Sequence, residues 1–175
     1  MDASRLGLLR WQLSMTWSLA EYHLRELTDA FCLWQPTPGC FTVRPDPTGR
    51  WWPDWDDEGP DSAPGVTAGW ITWHLGWWWS TVLDHVQDRP PPRREDVEWP
   101  GSAAAAVDWL TGLHDRWSDQ LAGWQDADLD RPLGYPWGTP RPLAVGAAWV
   151  NSELMKNVSE IGVLRHTWLA REARA

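Results

Sequence analysis

Two stretches of this chain carry residue types that could do chemistry. The first is "GWITWHLGWWWS", residues 69–80, in which one histidine, His74, stands among five tryptophans. The second is "NSELMKNVSEIG", where Glu153, Asn157 and Glu160 follow one another at spacings of four and three. At 100° per residue those three lie within about 60° around a helix axis, so they share a face. Two carboxylates and a carboxamide so placed, joined by an imidazole from a neighbouring helix, are the kind of donor set that holds a divalent cation inside a bundle. A cation with three protein ligands and one open position lowers the pKa of a bound water or thiol and polarises a carbonyl, which suits thiol addition, isomerisation or hydrolysis. The plainer alternatives stay open. A lone inward histidine is ordinarily a hydrogen-bonded core residue, and the carboxylate face could be solvated, with Lys156 paired to Glu153 at i−3 and to Glu160 at i+4.

The elements that would position these groups are helices. Residues 5–33 place apolar side chains at 6, 9, 13, 17, 20, 24, 27 and 31, the three-and-four step of an amphipathic helix. A segment rich in proline and glycine follows at 36–65, with Trp51, Trp52 and Trp55 that draw it back onto the body and room for a short hairpin in 40–55. The second helix is expected from Thr67, as cap, to about Gln87, where "RPPPRRED" ends it. On it His74 shares a face with Trp70, Ile71, Trp77, Trp78 and Thr81 and points inward, while about half of the tryptophan rings face outward. A third helix is expected from Ser102 to Trp124, its stripe being Val107, Leu110, Leu113, Trp117 and Leu121. The loop 131–142 then leads to a fourth helix over about Leu143 to Arg171, with Val150, Leu154, Ile161, Leu164 and Trp168 inward. The expectation is one all-α domain spanning 1–175, a four-helix bundle whose unequal links allow crossover connections.

Composition narrows the partners. Fifteen basic residues stand against 24 acidic ones, a net charge of −9, and this balance argues against nucleic acid and against an anionic membrane surface. The chain has neither a long apolar run nor the pattern of a signal peptide, so a cytoplasmic protein is expected. Cys32 and Cys40 fit neither a redox pair nor a zinc knuckle and read as free thiols. Eighteen tryptophans against 2 Phe and 2 Tyr are far outside ordinary usage. Each ring pairs an apolar body with an N–H that needs an acceptor. Trp70, Trp77 and Trp78 are the expected walls of a small-molecule substrate pocket. The turn carrying Asp54, Asp56, Asp57 and Glu58 could hold a hard cation or simply be solvated. His85 lies roughly 16 Å from His74 by helix rise and cannot share a metal with it.

The order of "MTWSLAEYHLRELTD", "GWITWHLGWWWSTVLDH" and "WVNSELMKNVSEIGVLRHTW" resembles the DinB-like superfamily, which includes the mycothiol-dependent maleylpyruvate isomerases and related thiol S-transferases. The resemblance spans nearly the whole chain. It implies a bundle of up-down-down-up connectivity, a divalent metal such as zinc, nickel or iron, a low-molecular-weight thiol such as mycothiol as cofactor, and a homodimer. Carried over by position, it puts the metal of a transferase, isomerase or hydrolase on His74, Glu153 and Asn157, with Glu160 in reserve; an enzyme working by acid–base chemistry without metal would instead keep His74 and Glu153 as its catalytic proton-transfer pair. Asn157 departs from the pattern, standing where the superfamily has an imidazole. A neutral amide oxygen is a weak ligand for a borderline metal. The alternative this opens is a non-catalytic bundle with a degenerate metal site that binds a ligand or a protein partner.

Overall fold

The computed structural model describes residues 4–56 and 62–174. Five helices carry the fold: α1 (Arg5–Leu24), α2 (Asp29–Leu33), α3 (Ala68–Val86), α4 (Ala103–Gly123) and α5 (Leu143–Glu172). Two small antiparallel ladders lie in the links: β1 (Val43–Pro45) with β2 (Trp51–Pro53), and β3 (Pro132–Leu133) with β4 (Arg141–Pro142). The expected start signals work as read. The side chains of Thr67 and Ser102 accept hydrogen bonds from Trp70 N and Ala105 N, each satisfying a backbone donor that the helix itself leaves open. The first helix is shorter than its apolar periodicity implies. The chain leaves the helix after Leu24 and restarts at Asp29, because Thr28 caps a new turn by accepting from Phe31 N. That break frees Asp29 to accept from Ala103 N, so α2 caps the first turn of α4.

Contacts between helices fix their directions. Leu9 O meets Asn151 and His23 meets Gly162, so α1 and α5 run parallel. Arg10 donates to Leu121 O and Trp17 stacks on His114 at 4.2 Å, so α1 and α4 are antiparallel. Trp78 bonds Asn157, and Ile71 shares a cavity with Glu160 and Leu164, so α3 and α5 are antiparallel. The result is up-down-down-up. The link between the parallel helices α3 and α4 must run back along the bundle, and residues 87–102 do so: Val97 and Trp99 reach Trp73 and Thr72 near the start of α3.

The core differs from the expectation in one respect. None of the rings on α3 faces outward: Trp70, Trp73, Trp78 and Trp79 are buried and Trp77 is half-buried. The outer face of α3 is covered by the segment that follows β2, from which Trp55 stacks on Trp70 and meets Trp73 and Trp77 edge-on. Buried indole N–H groups reach out to pin the links: Trp70 to Asp54 O at 2.9 Å, Trp73 to Val97 O at 2.8 Å, and Trp99 to Thr72 Oγ1 at 3.0 Å. Cys32 and Cys40 are free and buried, and burial pushes the Cys32 thiol up to about 12.

Gly76 sets how closely α4 approaches. A Cβ at this position would lie 2.0 Å from Cη2 of Trp109, whose rigid ring occupies the space a side chain would need. Gly76→Ala is therefore expected to lower unfolding stability by about 1–3 kcal/mol, the usual range for overpacking a tight interface. Urea denaturation of the two proteins side by side checks this; equal midpoints would contradict it.

Candidate functional site

His74 is held by aromatic stacking. Its ring lies parallel to Trp70 at 5.1 Å and tilted to Trp77 at 5.8 Å, so Trp55, Trp70 and His74 form a continuous stack. The imidazole is half-buried at the rim of the core, not inside it as its helix face implied. Its Nδ1 is buried and has no hydrogen-bond partner. Burial, and secondarily the Lys156 ammonium, bring its pKa down to about 4, so it is neutral at pH 7. Position along the bundle follows from the contacts on either side: Trp78 bonds Asn157, and Ile71 lines a cavity with Glu160. His74, between them on α3, therefore sits at the level of the Asn157–Glu160 turn of α5.

The α5 residues are engaged with their neighbours. Asn157 is 2% exposed. Its Oδ1 accepts from Trp78 Nε1 at 3.2 Å and its Nδ2 donates to Glu160 Oε2 at 2.9 Å. The indole is donor-only, so the amide oxygen must face Trp78 and the orientation is not interchangeable. Glu153 pairs with Lys156 Nζ at 2.6 Å. Of the two pairings open to Lys156 on sequence grounds, the structure makes this one, and Glu160 joins no ion pair among the described residues. As built, these side chains do not present three free donors to one point. Among the described residues no three His, Cys, Asp or Glu side chains are grouped so that they could hold a metal ion. An ion held by His74, Glu153 and Asn157 would have to share the amide oxygen with Trp78 and the carboxylate with Lys156.

The other candidates separate. Trp70 and Trp78 are core residues with their N–H groups spent inside the protein, and Trp77 packs under Trp55. His85 stacks on Tyr135 at 5.0 Å. Asp54 serves as a structural clasp, accepting from Arg44 and from Thr42 N, while Asp57 and Glu58 lie outside the described residues. Two groups escaped the sequence reading. Tyr135, in the β3–β4 link, sits close enough to Glu153 that the carboxylate adds to burial in pushing its phenol up to about 12. His23, on α1, is buried against Gly162 with an unpartnered Nδ1. Neither has a local spacing signal, since each acts across elements distant in sequence.

Beside this turn of α5 opens a cavity of about 650 Å³. The loop contributes Pro36 and Val66, α3 contributes Ile71, and α5 contributes Val163 and Leu164, with Lys156 and Glu160 at the rim. Its walls are mainly apolar and its volume falls in the range of small-molecule sites. Here the loop, α3 and the α5 charges meet around open space.

The profile of the DinB superfamily matches residues 12–161, most of the chain, and the protein belongs to that superfamily. The fold is similar to the crystal structure of a conserved protein from Enterococcus faecalis, with a TM-score of 0.63 at 12% identity, covering 94% of this chain and 96% of that one. No curated protein matches the sequence. No helix among the described residues is long and apolar enough to cross a membrane.

The neutral state of His74 has a consequence for stability. Its folded pKa of about 4 lies below the 6.5 of the free imidazole, so as pH falls through 6.5 the unfolded chain takes up a proton that the native state refuses. Stability is full above pH 6.5 and declines toward pH 4. His74→Gln is expected to relieve about 2 kcal/mol of the loss between pH 7.5 and 5. Chemical denaturation of both proteins at these two pH values measures it, and identical losses would show that His74 does not titrate in this way.

Proposed function

We propose that this DinB-superfamily protein binds a small molecule with an apolar body in the cavity between the proline-rich loop and α5, and does so without a resident three-ligand metal. The observation that carries this reading is the double hydrogen bonding of Asn157, whose oxygen serves Trp78 and whose nitrogen serves Glu160. A position that holds an imidazole lone pair in a metal-binding relative is here part of the packing. The thiol-transfer reading, with mycothiol as cofactor and His74 as base, meets a further obstacle. An imidazole of pKa about 4 would take a proton from a thiol of pKa about 8.5 at an uphill cost of roughly 6 kcal/mol. His74 is instead a neutral ring stacked on Trp70, one turn along α3 from the cavity residue Ile71.

We also infer a homodimer through the α1–α5 face. Leu8, Trp11, Met15 and Tyr22 are exposed on α1 in steps of three, four and seven, an apolar stripe without a charge in it. A groove of about 480 Å³ runs beside it, lined by Trp11, Met15 and Met155, and reaches the buried, unpartnered Oδ1 of Asn151. A chain of net charge −9 repels its own copies, and this face, where the charges beside the stripe are the cations Lys156 and Arg165, adds little to that repulsion. A second copy is therefore the occupant it suits.

Both readings have direct tests. Protein purified without a nickel column is expected to hold well below one metal per chain by mass spectrometry of the elements, and Asn157→His to raise zinc toward one per chain. Stoichiometric zinc, nickel or iron in the native protein, lost on His74→Ala, would overturn the first reading, as would a thiol-transfer activity abolished by chelation. For the second, sedimentation equilibrium at tens of micromolar is expected to give a dimer mass and the double variant Trp11→Glu, Met15→Glu a monomer; a monomeric native protein rules the dimer out.

A further inference from the structure

The cavity between the loop and α5 carries an unbalanced charge at its rim. Lys156 is committed to Glu153, whose side chain is only 24% exposed. Glu160, one turn on, pairs with no cation among the described residues; one of its oxygens accepts from the neutral Asn157 amide and the other makes no hydrogen bond there. Two carboxylates against one ammonium leave one uncompensated negative charge beside an apolar wall. The field of the whole chain, at net −9, has the same sign.

We propose that this cavity selects an amphiphilic amine, its alkyl or aryl body lying on Ile71, Val66 and Leu164 while a protonated nitrogen meets Glu160. The proposal rests on the reading of the cavity as a ligand site and adds the chemical class. A primary ammonium offers N–H donors to the free carboxylate oxygen, and such charge-assisted bonds are stronger beside apolar walls than in open water. An anionic ligand faces the opposite situation. To gain Lys156 it would have to leave Glu153 partly buried and unpaired, a loss that an exposed new ion pair does not offset.

The test is calorimetric titration of the full chain with three ligands sharing one body, n-octylammonium, n-octanol and n-octanoate, each below its micellar concentration. The expected order is amine tightest, by about three- to tenfold over the alcohol, with the carboxylate weakest. Glu160→Gln keeps an acceptor for Asn157 and is expected to bring the amine down to the alcohol while leaving alcohol binding unchanged. Val163→Arg, at a position 66% exposed and so tolerant of substitution, is expected to shift the order toward octanoate. Equal binding of the three by the native chain, or an amine preference that survives Glu160→Gln, overturns the selection of amines while the ligand site stands. Binding of none of them overturns both.

Discussion

Each tryptophan placed in a core brings one hydrogen-bond donor that no other apolar side chain brings, and the fold is organised around finding acceptors for them. A buried N–H left without a partner costs on the order of 1–3 kcal/mol, comparable to the gain from burying a good part of the ring. Trp70, Trp73 and Trp99 meet that demand with acceptors at Asp54 O, Val97 O and Thr72 Oγ1, and in doing so they tie two long links to α3. The loops are thus fixed by the helix beneath them. Trp79 and Trp117 have no such acceptor, and both lie deep in the core, where closer packing is the compensation the ring can offer.

The same demand reaches the functional turn of α5. Trp78 needs an acceptor at the α3–α5 seam, and Asn157 supplies it while donating onward to Glu160. A metal-bound imidazole at that position would have no lone pair left for the indole. Asn157 and Trp78 therefore belong together as one solution: the seam is closed by a polar chain of indole, amide and carboxylate. Closing the seam removes Asn157 from the site and leaves Glu160 with one free oxygen facing the cavity. The charge available to a ligand is set by what the packing has already used.

Much of this fold is legible in the sequence because it depends on local periodicity. The caps at Thr67 and Ser102, the apolar stripe of α4 and the extent of α5 all follow from residue types at fixed spacing. The first helix was overextended for the same reason: Leu27 and Phe31 continue the apolar step, but Thr28 caps a new turn and Asp29 is needed at the start of α4. Tertiary demand overrode a correct local pattern. The burial of all the α3 rings was hidden too, since it depends on Trp55 folding back from a segment with no helical signal. At the site, spacing puts Glu153, Asn157 and Glu160 on one face, and the structure bonds Asn157 to Glu160 while Glu153 pairs with Lys156. Whether a carboxamide on that face is a ligand or a packing group depends on its partner, and Trp78 is 79 residues away.

The two sides of the bundle divide the work. Along α3 the outer face is roofed by the segment that follows β2 and by Trp99, so its aromatic surface is spent on stability. Along α1 and the outward stripe of α5 none of the described residues provides such a roof, and Leu8, Trp11, Met15 and Val163 are exposed. Lys156 stands at the division, lining both the α1–α5 groove and the cavity beside the loop. A contact made on the groove side bears on the same ammonium that neutralises Glu153, and Glu153 in turn touches the field around Tyr135. In the dimer proposed above, pairing of two copies and the charge presented to a ligand would be linked through this one side chain. Substitution of Lys156 would bear on both at once, whereas Glu160 serves the cavity and the Asn157 amide.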